Sequence, residues 1–404
     1  VPNQTERIMP GNKKNIAYVL SAFPVLSETF IGNEIRALEA QGHAILPMVF
    51  DLRQGPAQPA DIELAGRVQR ISGISAVRAL AMLPLLWRAQ QFAGQQKLLA
   101  RRSLLWHALK IAAHARANNC SHIHAHFAGG AAAHAIAAAR IAGLTVSFSC
   151  HGHDIYAEPE DLDAKFANTD AVVSVCNEMR DDLLAMGCRA PVAMIPCGTD
   201  PQGFRPRPRG RNDNGRLLFV GRLVPQKGLD DLFAAISLLS GRMSVQIDIV
   251  GDGPMRDYCE EQASRLALEG GHRIDLLGGR NSDWLKAHAP DYCGVCLPFK
   301  TAPDGSRDTG PLVVKEAMAM QLPVISTAYM GVKDTVTPET GILVEPGDPV
   351  ALSKAIVKLA TTAAQERQAM GTAGRKRVCD QFTLASQAQA LSGLFRSLPG
   401  AVMP

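Results

Sequence analysis

Short apolar runs and amphipathic stretches alternate along this chain in the rhythm of strand–helix–strand units. Ile16–Leu20 is an apolar run of strand length, Thr29–Gln41 has helical apolar spacing closed by Gly42, and Ala44–Phe50 is a second apolar run. Together they predict a parallel unit of the Rossmann kind. Further strands are predicted at His122–His126, Leu144–Cys150, Ala171–Val175 and Val192–Ile195. Helices are predicted at Val77–Ala93, Leu98–Asn118, Ala131–Ala142 and Asn177–Met186. Pro196–Gly215 is rich in Pro, Gly and Arg and has no hydrophobic period, which marks a linker. The rhythm restarts at Arg216 with the apolar run LLFVG. Strands then follow at Val245–Val250, Arg273–Leu277, Tyr292–Leu297, Val324–Ser326 and Ile342–Val344. Helical patterns lie between and after them, at Leu229–Leu239, Met255–Leu268, Leu312–Met320, Pro349–Thr362 and Ala364–Phe382, and Thr383–Ser397 is a final amphipathic stretch. The expected organisation is α/β, with residues 1–14 disordered, a first Rossmann-like domain over 15–197, a linker over 198–215, a second domain over 216–380 and a C-terminal helical segment over 381–404.

Length and composition are compatible with this plan. A chain of 404 residues is long enough for two or three domains with separate cores. Its 47% hydrophobic and 20% charged residues are those of a soluble globular protein. Nine cysteines, an odd number with no zinc-type spacing, point to a reducing compartment and away from a disulfide framework. The longest apolar run, Ala79–Trp87, is too short to span a bilayer. The loop after the first strand, SAFPVLSE, lacks GxGxxG, so the first domain carries no dinucleotide fingerprint.

Chemistry concentrates in Phe299–Thr327, FKTAPDGSRDTGPLVVKEAMAMQLPVIST. A polar loop leads to Thr309-Gly310-Pro311, which reads as a helix start with a capping hydroxyl or glycine and proline near the first helical position. The unpaired amides and dipole of such an end suit a phosphate. Asp308 and Glu316 bracket it. Carboxylates beside a phosphate site are repelled by it, so their expected partners are sugar hydroxyls; the plainer alternative is an ordinary capped helix with a solvated glutamate. In the strand-to-helix loop after LLFVG, Arg222 and Lys227 stand where open α/β sheets bind ligands. His126 and His151 likewise end strands beside glycines, where a ligand can come close to the backbone. His122, His124 and His126 share one face by period-two alternation. No carboxylate or cysteine joins them nearby in sequence, so no metal is expected and His122 and His124 are expected to pack within the sheet or under a helix.

The stretch from Asp308 to Glu316, with AMAMQLPVIST after it, resembles the signature of retaining glycosyltransferase family 4. In that signature an acidic residue, usually Glu, precedes a second Glu after seven residues. The resemblance covers the chain from Ile16 to the C-terminal helices, and the SETFI segment and the DGSRD loop look closest to exopolysaccharide-building, colanic acid-type members. It implies a GT-B architecture: two Rossmann-like domains facing a cleft, the first binding acceptor and the second binding nucleotide sugar, with the last helix returning to the first domain. It implies that Arg222 and Lys227 hold the donor diphosphate, with the amides of Gly310, Leu312 and Val313, around Pro311 at the helix start, as the helix-end contribution, and that Glu316 binds ribose hydroxyls. Asp308 would contact the sugar. Arg280 is implied at the base edge, and Gly253 in the GDGP turn on the donor side. His126 and His151 lie at the sugar end, and Ser27, Glu28 and Thr29 either touch acceptor or donor or simply cap the helix. The expected catalytic set is Asp308, His126, Arg222 and Lys227. No metal or other cofactor is implied; the only DxD, Asp161-Leu162-Asp163, falls far from the donor loops.

The leading expectation is transfer, with retention, of a sugar from a UDP- or GDP-sugar to a hydroxyl of a glycan or lipid-diphosphate-linked acceptor. A nucleotide-sugar epimerase or hydrolase on the same fold is the alternative, followed by a non-catalytic sugar-nucleotide-binding protein. Nucleic acid is not an expected partner. Charge distribution adds one element. Between Leu64 and His153 there is no Asp or Glu, while ten Lys or Arg occur, several among the Leu and Trp of the two helical stretches Val77–Ala93 and Leu98–Asn118. That mixture suits a helix lying on an anionic bilayer, and equally a helix that packs on the sheet with solubilising arginines outside. The expected location is cytoplasmic, peripheral at the inner face of the membrane.

Overall fold

The computed structural model describes residues 13–55, 57–207 and 215–399. The expected disordered segment 1–14, except for its last two residues, lies outside them, as do residues 208–214 of the expected linker and residues 400–404. Two all-parallel sheets carry the fold. The first has seven strands in the order β3-β2-β1-β4-β5-β6-β7. They are β1 (Asn15–Phe23), β2 (Ala44–Leu52), β3 (Gln69–Arg70), β4 (His122–His126), β5 (Thr145–Ser149), β6 (Ala171–Ser174) and β7 (Val192–Met194). The second has six strands in the order β10-β9-β8-β11-β12-β13. They are β8 (Leu217–Val220), β9 (Gln246–Val250), β10 (Arg273–Gly278), β11 (Gly294–Leu297), β12 (Val324–Thr327) and β13 (Gly341–Val344). Strand order reverses between β1 and β4 and again between β8 and β11. Those two switch points are where a doubly wound sheet opens a crevice at the carboxyl ends of its strands.

Burial on both faces explains the continuous apolar runs. In the first sheet, Ala17, Val19, Ile123 and Ala125 face the alanine-rich helix Gly130–Ala142, which is buried nearly all round and so needs no polar face. Ile16, Tyr18 and Leu20 point the other way, with His122 and His124 beside them through the Ile16–His122 and Tyr18–His124 register. This second face is covered by the helix Thr29–Ala40 and by the C-terminal helix Leu384–Ser397, whose Leu391 and Phe395 enter its core. The last helix therefore does return to the first domain. His122 and His124 pack under it as expected, with the Phe395 ring 4.8 Å and 5.4 Å from theirs.

Some elements differ from the sequence pattern. The expected helix Val77–Ala93 is broken into Ala76–Leu80, a 3-10 turn Leu83–Leu85 and a helix Trp87–Gln95. Pro84, which lacks an N–H and clashes with a preceding helical turn, sits at the break. The next helix begins at Arg101 rather than Leu98. Helices at Pro59–Ala65, His153–Tyr156, Leu162–Phe166 and Ser282–His288, and the two-residue strand β3, are too short to show a period.

The domains meet at a hinge around Cys197–Thr199. Thr199 bridges in parallel to Thr383, its N–H donating to the Phe382 carbonyl at 2.9 Å while its own carbonyl accepts from Leu384 N–H at 3.0 Å. Gly198 is required there, because a Cβ would stand 2.4 Å from the Thr383 carbonyl oxygen. The loop before the Leu312 helix also touches the first domain: the Arg307 guanidinium lies 4.0 Å over the Tyr156 ring and 3.6 Å from the Asp182 carboxylate.

Candidate active site

The loops at both switch points carry the residues singled out from the sequence. After β8, Arg222 is exposed, and the chain makes a 3-10 turn, Pro225–Lys227, that ends at Gly228. Gly228 has φ 68°, and a Cβ on it would meet the Pro298 carbonyl oxygen at 1.8 Å. Only glycine lets this loop sit against the end of β11. The close approach brings the Lys227 ammonium to the Asp308 carboxylate as an ion pair and places it 5.0 Å over the Phe299 ring. The cation expected on the diphosphate and the carboxylate expected on the sugar are thus already neighbours.

The helix after Asp308 runs over Leu312–Ala319, with Pro311 in the N-cap position and no side-chain cap. The expected cap from Thr309 or Gly310 is not formed: the fixed φ of proline sets the entry and Thr309 is buried instead. The first-turn amides, including those of Leu312 and Val313, are left uncapped by side chains, which suits an anion. One turn on, Glu316 is half-buried, and burial pushes its carboxyl up to about 7 against the opposing pull of Lys286 and Lys315. Gly253 packs on the Arg222 loop, a Cβ on it being 2.6 Å from the Leu223 carbonyl oxygen. Arg280 is exposed beyond β10.

From the first domain, Ser27 is exposed and Glu28 and Thr29 are half-buried. Glu28 occupies the N-cap position of the helix Thr29–Ala40 without a side-chain cap bond, so the capping alternative does not hold. Burial raises its pKa, and the nearby His126, Arg53 and Arg222 offset this only in part. Arg222, from the second domain, is near enough to Glu28 of the first to act on its charge. His126 and His151 are buried with their rings stacked at 21°, and Nδ1 of His126 lies 3.1 Å from Nε2 of His151. Burial, and then the neighbouring His126, hold the His151 pKa well below its ordinary value.

One group went unseen in the sequence. Glu34, from the helix Thr29–Ala40, is buried against Tyr18, His124 and His126, so a carboxylate does join the histidine ladder. Glu34, His124 and His126 have ligand atoms within 4.8 Å of one another. Those of His124 are engaged by serines, Nδ1 with Ser147 at 2.8 Å and Nε2 with Ser149 at 3.1 Å. The available signal was that Glu34 interrupts the apolar stripe Ile31, Ile35, Leu38. Among the described residues no helix is long and apolar enough to cross a membrane.

Comparison with known proteins matches both halves. Residues 27–202 fit the Glycosyltransferase Family 4 model and residues 214–362 the model for Glycosyl transferases group 1. An uncharacterized glycosyltransferase of Methanocaldococcus jannaschii is 33% identical over 35% of each chain. A putative colanic acid biosynthesis glycosyltransferase of Salmonella typhimurium is 24% identical over 95% of this chain and all of that one. Several other curated relatives align over only 51% to 58% of their own length. In fold, the chain superposes on Anabaena HepE, solved in complex with UDP, with TM-score 0.71 at 18% identity, covering 95% of this chain and 100% of the other. Two parallel sheets joined by a returning C-terminal helix, the first half matched by the Glycosyltransferase Family 4 model and the second by the Glycosyl transferases group 1 model, make this a chain of glycosyltransferase domains in the GT-B architecture.

Proposed function

We propose that this protein is a retaining, metal-independent hexosyltransferase that moves a sugar from a nucleoside-diphosphate sugar to a hydroxyl of a glycan or lipid-diphosphate-linked acceptor in the synthesis of a cell-surface polysaccharide. The observation that carries the reading is the Lys227–Asp308 ion pair, which joins the loop after β8, where Arg222 also stands, to the loop before the Leu312 helix. Two cations in this loop, Lys227 paired with Asp308 and Arg222 exposed beside it in sequence, stabilise a departing diphosphate, the largest charge that develops in such a reaction. Arg222, Lys227 and the first-turn amides grip the phosphates, and Glu316 holds the ribose hydroxyls. Asp308, released from Lys227 as the diphosphate takes its place, turns to the sugar. The anomeric C–O bond to the diphosphate breaks, the acceptor oxygen bonds to the same carbon on the same face, and its proton passes to the departing phosphate oxygen. No protein nucleophile is required. The UDP complex of the Anabaena neighbour supports the donor class, and the colanic acid biosynthesis named for the Salmonella relative supports a role in polysaccharide synthesis.

The acceptor side has a surface suited to a lipid-linked substrate. Val77, Leu80, Leu83, Trp87 and Leu98 are exposed, Val77 by 78% and Trp87 and Leu98 by 69% each. The remaining apolar residues of these segments, such as Ala89, Phe92 and Leu104, do pack inward. Burial within the domain therefore accounts for one face of these helices and leaves the other unexplained. Arg88 lies over the Trp87 ring at 5.7 Å, and Arg101 and Arg102 open the next helix. Next to the patch, Leu99 approaches Gly130, where the loop after His126 enters the helix Gly130–Ala142. An anionic bilayer is what apolar residues set among cations match, so the protein docks peripherally and takes its acceptor there.

A thermal-shift screen of nucleoside diphosphates and their sugars, followed by product analysis with and without acceptor, tests the core reading. A hundredfold excess over Kd should add about 2.7 kcal/mol of stability. Sugar transfer with the anomeric configuration kept is the expected outcome. Epimerised or hydrolysed donor as the sole product in the presence of acceptors would favour the alternative enzyme on this fold, and donor binding without turnover a binding protein.

A further inference from the structure

Behind the two cleft histidines runs a chain of buried polar groups that ends at the interdomain hinge. Oε1 of Glu34 accepts from the Tyr18 hydroxyl at 2.8 Å and lies 3.1 Å from Nε2 of His126. Oε2 of Glu34 accepts from Nε2 of Gln387, on the returning helix, at 2.8 Å. The other end of that amide, Oε1 of Gln387, accepts from Gly198 N–H at 2.7 Å. Beside it in the hinge, the Cys197 carbonyl accepts from Nζ of Lys315 at 2.8 Å, and Lys315 precedes Glu316 on the donor-side helix. Glu34, Gln387 and Lys315 are all buried.

Every donor in this chain has one acceptor that suits it. Burial would raise the Glu34 pKa, but His126, then His124 and Tyr18, outweigh it and hold the carboxyl below its ordinary value. An ionised carboxylate only accepts, so Nε2 of His126 carries a proton. In the neutral ring, Nδ1 of His126 is then the acceptor, Nε2–H of His151 donates to it, and Nδ1 of His151 is left unprotonated. A ring nitrogen's state is set in this way by the bond its partner nitrogen makes.

Packing does not explain the carboxylate. Glu34 replaces an apolar residue in the stripe Ile31, Ile35, Leu38, and a buried ion is costly unless fully paired, while an apolar residue of similar volume is often at least as stable. We propose that Glu34 is a positioning residue that sets the tautomers of His126 and His151 and, through Gln387 and Gly198, ties that setting to the hinge gripped by Lys315. A shift of the hinge is then felt at the acceptor-side rings without any ligand touching Glu34.

The test uses the full-length chain and Glu34→Gln, which keeps size and removes charge. With 15N-labelled histidine, long-range proton–nitrogen correlation should show His126 as the Nε2–H tautomer in the wild type, its resonance identified by its loss in His126→Gln. In Glu34→Gln it should become Nδ1–H or mixed. The kinetic arm rests on the glycosyl-transfer reading: kcat should fall by about ten- to a hundredfold, the range seen when the partner that fixes a metal-bound histidine's tautomer is removed, with donor KM and UDP affinity within about twofold. A loss of fold alone would move those together. An Nδ1–H His126 in the wild type, or an unchanged kcat in Glu34→Gln, overturns the proposal. A wild type that turns over no nucleotide sugar yet shows the stated tautomers supports the positioning role and counts against the transfer reading instead. Should Glu34→Gln not fold, Gln387→Leu decides. Shifted His126 resonances with a lower kcat support the link to the hinge, and unchanged resonances with unchanged kcat overturn it.

Discussion

At the scale of single residues, the donor loops carry the largest consequences. Lys227→Ala and Arg222→Ala each remove one preorganised cation, and turnover should fall by about a hundredfold or more in each, with little change in stability because both side chains leave a loop. Steady-state rates on a nucleotide sugar check this, and near-normal activity of Lys227→Ala would remove the assignment. Asp308 differs. Asp308→Ala should mainly abolish transfer, while Asp308→Glu, which restores the side chain usual in the family, should be tolerated. Glu316 adds a pH dependence. Its folded-state pKa, about 7, lies above the ordinary value of 4.5, so between those values the folded chain binds more protons than the unfolded one. Stability therefore falls as pH rises through that window, and Glu316→Gln should lose this slope. Ribose hydroxyls need the ionised form as acceptor, so affinity for a nucleotide sugar should rise with pH through about 7 in the wild type and stay flat in the variant. Nucleotide sugars are the right probe, because their diphosphate does not titrate there. Calorimetry across that range measures it.

Among the elements, the returning helix Leu384–Ser397 does the most joining. It buries Phe395 on the histidine ladder, supplies Gln387 to Glu34 and follows the Thr383 bridge to the hinge. Phe395→Ala should cost about 3–5 kcal/mol, the range for emptying a buried phenylalanine site. Denaturant unfolding reads that loss; a cost near zero would mean that the helix does not seal this face. Its amphipathic pattern was legible in the sequence, and so were the strands. Apolar runs bounded by glycine and proline reflect local rules that any parallel sheet imposes. Where Pro84 divides a helix, or where Pro311 rather than a hydroxyl starts one, proline's own backbone constraints outweighed the apolar pattern.

For the whole molecule, the open question is where it works. Liposome co-sedimentation should recover the protein with anionic and not with neutral vesicles, less so at high salt as screening weakens the contact. Replacing Arg88, Lys97, Arg101 and Arg102 by Glu should abolish that recovery. Salt-insensitive recovery in the supernatant with both vesicle types would sink membrane docking while leaving the cleft chemistry intact. Two-domain organisation, the cations after β8 and the Asp308–Glu316 spacing followed from the sequence alone, since hydrophobic period, glycine placement and short-range motif spacing are local properties. What the tertiary structure alone decided are meetings between distant segments: Lys227 with Asp308, Glu34 behind His126, and Gln387 at the hinge. No local rule brings residues so far apart in sequence together. They meet because parallel strands place their carboxyl ends side by side and the last helix crosses back over the first sheet.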